Sequence, residues 1–134
     1  MDFLKKNAYG FLDEAVDAFK RKDYKFTMFF VEQFFQLALK YVLAKKYGEF
    51  PKTHSLKTLI NLTKDKKLIN YYKENLRLFR ETELSHIASR YMDVDYDEEV
   101  ARSALNLAEE FKNCLLYTSD AADEGLGVDF GGRR

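Results

Sequence analysis

The chain reads as an all-α protein, an up-and-down bundle of about five helices. Three observations predict this. One Pro and six Gly in 134 residues leave too little turn chemistry for a β fold. Apolar residues recur at helical spacing along most of the chain, and no strand pattern interrupts them. Twelve Phe and nine Tyr supply the apolar area from which a small domain builds a core.

The first helix is expected from Asp2 to about Arg21, where Phe3, Leu4, Ala8, Phe11, Leu12, Ala15, Val16 and Phe19 fall at helical intervals. "KRKDY" makes a short turn into the second, from about Tyr24 to Tyr47. There Phe30, Phe34, Leu37, Tyr41 and Ala44 form one stripe. Met28, Val31, Phe35, Ala38 and Val42 form another, about 120° away. Two apolar faces place this helix at the centre of the bundle or against another subunit. Gly48 ends it, with Pro51 just beyond. Thr53 is the expected N-cap of a short third helix, "THSLKTLINLT", with Leu56, Leu59, Ile60 and Leu62 on one side. After the break at "KDKK" a single fourth helix is expected from about Lys67 to Tyr91. Asp95 with Glu98 three positions later forms a capping-box variant. The fifth helix follows to about Lys112, burying Val100, Ala104, Leu105, Leu107, Ala108 and Phe111.

Composition excludes several classes. With 46% hydrophobic and 33% charged residues the chain is not disordered. The opening "MDFLKKNAYG" has no signal-peptide apolar run, and the longest apolar region, 26–44, is broken by Glu32, Gln33, Gln36 and Lys40. A cytoplasmic protein is expected. One Cys and two His make neither an internal disulfide nor a zinc set, and no Gly-rich phosphate loop is present, so no cofactor or metal is expected. "DVDYDEE" has the acidity of a calcium loop but lacks its sixth-position Gly and twelfth-position Glu, and reads as a capped acidic loop.

The end, "CLLYTSDAADEGLGVDFGGRR", departs from everything before it: four of the six Gly lie between 125 and 132. Back-translated, Cys114 to Glu124 resembles the adapter of transposase-based sequencing libraries, and "VDFGGRR" resembles its outer part with one error. The expectation is a metagenomic read that ran into its adapter, with a natural domain over 1–113 and a non-native tail over 114–134. Without Arg133, Arg134, Asp120, Asp123, Glu124 and Asp129 the balance is 20 basic to 18 acidic residues rather than zero net charge.

"FFVEQFFQLALKYVLAKKYGEFPKTHSLKTLINLTKD" followed by "ASRYMDVDYDEEVARSALNLAEEF" resembles the HEPN family of prokaryotic helical domains. The cues are Glu32-Gln33 and Leu39-Lys40, "THSL" at 53–56, "SRYMD" at 89–93 and the acidic opening of the last helix, in that order over residues 3–113. The resemblance implies a helical bundle that homodimerises and pairs with a minimal nucleotidyltransferase, often as a toxin–antitoxin couple. Many members are ribonucleases with four to six residues between an Arg and a His, and two such motifs meet across the dimer. Members with "THSL" and "SRY" often lack that motif and serve as nucleotide-binding or accessory domains. A partner enzyme that nucleotidylates Tyr91 or Tyr96 is a further expectation.

"RETELSH" places five residues between Arg80 and His86, inside the family's window, with Glu81 where active members commonly have Asn. Metal-independent RNA cleavage needs a base for the 2′-hydroxyl proton and a cation on the phosphate, roles that suit His and Arg. Six helical positions set the two about 120° apart, so they do not touch on one straight helix. On a wheel over the single fourth helix, Arg80 falls within the apolar stripe of Ile69, Tyr72, Leu76, Ile87 and Tyr91, with Glu83, Arg90 and His86 on its flank. Such a cluster predicts a salt-bridge network or a ligand groove. Arg80 and His86 are therefore the candidate catalytic pair, and Arg90, Glu83, His54 and Tyr91 the candidate nucleotide- or RNA-binding residues. His54 also fits an ordinary helix-start residue. From Lys40 to Glu74 nine Lys face only Glu49, Asp65 and Glu74, a basic surface suited to RNA, a nucleotide phosphate or an acidic partner. The other class left open is a non-catalytic dimerisation or interaction module accessory to a nucleotidyltransferase.

Overall fold

The computed structural model describes the backbone of residues 2–120 and the side chains of residues 2–115. It is all-α among those residues, with six helices: α1 (Asp2–Lys20), α2 (Tyr24–Tyr47), α3 (Leu56–Thr63), α4 (Lys66–Glu74), α5 (Leu76–Tyr91) and α6 (Glu98–Asp120). None of the described helices is long and apolar enough to cross a membrane.

The two apolar stripes of α2 make it the central rod, in contact with α1, α3, α5 and α6. Phe34 and Phe35 are fully buried on it and meet Phe111 of α6, and Phe35 also packs on Phe79 of α5 at 4.9 Å between ring centroids. The helix is started by Asp23, whose side chain accepts from the Phe26 N–H at 3.2 Å. It is stopped by Gly48, whose φ of 84° is left-handed and whose N–H donates to Ala44 O at 2.8 Å.

Four boundaries differ from the sequence expectation. The single fourth helix is two helices, α4 and α5, broken at Asn75. Asn75 donates from its side chain to Tyr71 O at 2.9 Å, and its N–H reaches Tyr71 O and Tyr72 O. An Asn that ties itself to the preceding turn offers the backbone an alternative to continuing the helix. The third helix is capped by Ser55, which accepts from the Thr58 N–H, while Thr53 instead accepts from the Ser55 N–H one step outside. Before α6 the capping residue is Asp97, which accepts from the Val100 N–H at 2.9 Å, rather than Asp95. The last helix also runs beyond Lys112, and Cys114 and Leu115 pack into the core. The rest of the adapter-like stretch, 121–134, lies outside the described residues.

Candidate functional site

The break at Asn75 changes which way α5 faces. Its buried side chains are Phe79, Thr82, Ser85, Ala88 and Ser89. Leu84, Ile87 and Tyr91 are 59%, 48% and 73% exposed. The stripe containing Arg80 thus looks outward rather than into the core, because Ile69 and Tyr72 belong to a separate helix, α4, and do not share the wheel of α5. Arg80 is exposed in a shallow cleft of about 330 Å³ with Leu76, Arg77, Glu81 and Leu84.

The next face of α5 carries Glu83, His86 and Arg90, spaced three and four residues apart, and brings them toward α2 and the loop before α3. His86 sits at the boundary between core and solvent, 28% exposed at its side chain. Its ring lies parallel to Phe29, with centroids 5.9 Å apart, and the ring of His54 stacks at 6.4 Å. Nδ1 of His86 lies 3.1 Å from Gln33 Nε2 and 3.4 Å from Glu32 Oε1. On the outer side Arg90 Nη2 lies 3.3 Å from Nε2, and Arg90 Nε donates to the His86 carbonyl at 3.0 Å. The same guanidinium covers the ring of Tyr91 at 5.1 Å.

Behind the imidazole is a buried carboxylate. Glu32 is 1% exposed and accepts from Gln33 Nε2 at 2.9 Å and from Gln36 Nε2 at 2.8 Å. Burial pushes it up to about 7, and Glu83 adds to this, while Gln36, Gln33 and Arg90 oppose it. His86 is held below its ordinary value, by burial first and then by the charges of Arg90 and His54. Lys40, one further turn along α2, is buried and also depressed by burial, with Glu32 opposing. Glu32, Gln36 and Lys40 therefore form a polar row at four-residue spacing through an otherwise apolar helix.

Glu83 does not pair with Arg80 or His86. Its Oε2 accepts from the Leu56 N–H at 3.2 Å, at the start of α3. Gln36 also donates to the His54 carbonyl, so two side chains from different helices fix the loop that carries His54. Of the residues singled out by sequence, His86, Arg90, Glu83 and His54 share one region. Arg80 projects from another face, and exposed Tyr91 touches the region only through Arg90. The expected network of Arg80, Glu83, His86 and Arg90 is thus replaced by one that draws Glu32, Gln33 and Gln36 from α2. The signal for these three was legible as the polar interruptions of an apolar run, but they read only as evidence against a membrane span and as family cues.

These features define a helical domain with an imidazole and a guanidinium at its surface, backed by a buried acid. The chain belongs to the HEPN domain family, whose model matches residues 1–117. No curated protein and no solved structure matches it at a significant level.

Proposed function

We propose that this HEPN domain is the nucleotide- or RNA-binding component of a toxin–antitoxin type pair with a minimal nucleotidyltransferase, and that as a homodimer it cleaves RNA without a metal ion. The observation that carries the chemistry is the placement of His86 between buried Glu32 and exposed Arg90. A depressed imidazole is neutral near pH 7 and able to accept a proton. His86 Nε2 takes the proton of the RNA 2′-hydroxyl, whose oxygen attacks phosphorus. The bond from phosphorus to the 5′-oxygen breaks, the leaving oxygen takes a proton from water, and the hydroxide so formed recovers the proton from His86. The products are a 2′,3′-cyclic phosphate and a 5′-hydroxyl. Arg90, which lies against Nε2 in the free chain, turns to the phosphate when RNA binds and so frees the Nε2 lone pair, and the Lys-rich span 40–74 supplies long-range attraction.

Arg80 enters through the dimer. It shares an outward face with Leu84, Ile87 and Tyr91, apolar residues that a second copy would cover. In an antiparallel pair of α5 helices crossing midway between Leu84 and Ile87, Arg80 of one copy falls opposite Tyr91 of the other, next to that copy's Arg90. Two arginines and one histidine then line each groove.

The second reading is a non-catalytic dimerisation or interaction module. It is favoured by the separation of Arg80 from His86 within one protomer and by the apolar exposure of α5. RNA cleavage by the full chain in EDTA, beside His86→Ala, Arg90→Ala and Arg80→Ala, separates the two. The nuclease reading expects activity in the wild type and its loss in His86→Ala at unchanged helicity. Intact RNA from a verified folded dimer leaves the module.

A further inference from the structure

The neighbours of His86 compete for two ring nitrogens, and a neutral imidazole has a single N–H to satisfy them. Arg90 only donates, and its Nη2 lies 3.3 Å from Nε2. Taken alone it favours the tautomer with a bare Nε2 and the proton on Nδ1. That proton needs an acceptor. Gln33 Nε2, at 3.1 Å, is the amide nitrogen that donates to Glu32 and cannot accept, and its second N–H opposes a proton on Nδ1. Glu32 Oε1 lies at ion-pair distance, 3.4 Å, and when ionised it is the neighbour whose charge draws the proton to Nδ1 against Gln33. The carboxylate is itself immobilised, with Gln33 on one oxygen and Gln36 on the other, and Gln36 is anchored in turn to the His54 carbonyl.

We propose that Glu32 is the positioning residue of this site: its ionised carboxylate keeps the His86 proton on Nδ1 and presents the Nε2 lone pair to the surface beside Arg90. The proposal rests on the reading of His86 as a proton acceptor, and it adds the device that makes His86 one. It also sets a regulation. A protonated Glu32 would donate to Nδ1 and force the proton of a neutral ring onto Nε2, where it blocks the lone pair. The groups that face Glu32 are Gln33, Gln36 and Lys40 on its own helix and Glu83, His86 and Arg90 on α5, with His54 brought close by the loop. The dominant influence is burial, which brings the loss of the Glu32 proton into the neutral range. The base-ready tautomer then accumulates as Glu32 gives up its proton with rising pH.

The test is the tautomer itself, read from imidazole ¹⁵N shifts of the full chain at about pH 8.5, above the value of about 7 to which burial raises Glu32. The chain has two histidines, and His54→Gln assigns the resonances. The wild type is expected to carry its proton on Nδ1. Glu32→Gln, of nearly the same shape, places an amide donor against Nδ1 and is expected to move the proton to Nε2. A proton on Nε2 in the wild type, or the same tautomer in both proteins, overturns the proposal, and the wild-type result decides alone if the variant does not fold. The measurement uses no RNA, so a folded chain that cleaves nothing overturns the nuclease reading and leaves the tautomer to be judged separately. In an active chain, Glu32→Gln is expected to lower kcat about 10²- to 10⁴-fold with RNA affinity unchanged; unaltered kcat overturns the positioning role.

Discussion

A carboxyl group raised from 4.5 to about 7 must leave a mark on stability. Between these values the folded chain holds a proton on Glu32 that the unfolded chain has released. Stability therefore falls as pH rises through this window. The contribution is fully present below about pH 4.5, is lost progressively up to about 7, and is flat above that. At about 1.36 kcal/mol per pH unit, the change between pH 5 and pH 8 is about 2.5 kcal/mol. Glu32→Gln removes the titration and keeps the shape. Urea unfolding of both proteins at about pH 5 and pH 8 should show the variant gaining about 2.5 kcal/mol relative to wild type between the two conditions. Taking the difference cancels every other titrating group that the substitution leaves alone. Parallel pH profiles for the two proteins would refute the reasoning, because Glu32 would then ionise alike in the folded and unfolded states.

Other substitutions probe the scaffold. Phe79→Ala empties a fully buried ring site between Phe35 and Tyr72, and should cost about 3–5 kcal/mol by chemical denaturation. Glu83→Ala removes the acceptor at the Leu56 N–H and should cost about 1 kcal/mol, with faster hydrogen exchange confined first to α3. Leu84→Glu with Ile87→Glu, both exposed in one protomer, should leave the helical circular dichroism intact and shift sedimentation of the proposed dimer toward monomer. A wild-type chain that sediments as a monomer, or a dimer unmoved by this double change, refutes α5 as the dimer face. Gly48→Ala forces a side chain into a left-handed turn and should cost about 1 kcal/mol by thermal unfolding.

The helical class and the first two helices were legible because period and turn agreed: the "KRKDY" turn, Gly48 and the double stripe of α2 all act locally. The break at Asn75 was not, since no Pro or Gly marks it and Asn tolerates a helix interior until its side chain turns on the preceding carbonyl. That one break carried the error into the wheel, which joined residues of two helices and turned the face of Arg80 inward. His86, Arg90, Glu83 and His54 could be selected as residue types with useful chemistry. Their relation could not, because Glu83 meets Leu56 and Gln33 meets His86 across 27 and 53 residues of sequence. Glu32 was hidden for a different reason: a single acid in an apolar helix looks like an exposed interruption until its surroundings are known to be closed.

The bond from Glu83 to Leu56 also bears on how the chain acquires its shape. At eight residues α3 is below the length at which a helix persists by itself in water. One of its first N–H groups is satisfied by a side chain that arrives only when α5 has docked. The segment 56–63 thus packs on α2, which precedes it, but has one end completed by a part of the chain made later. Its first turn is expected to be the last to gain protection from exchange, because the side chain that secures it lies 27 positions downstream.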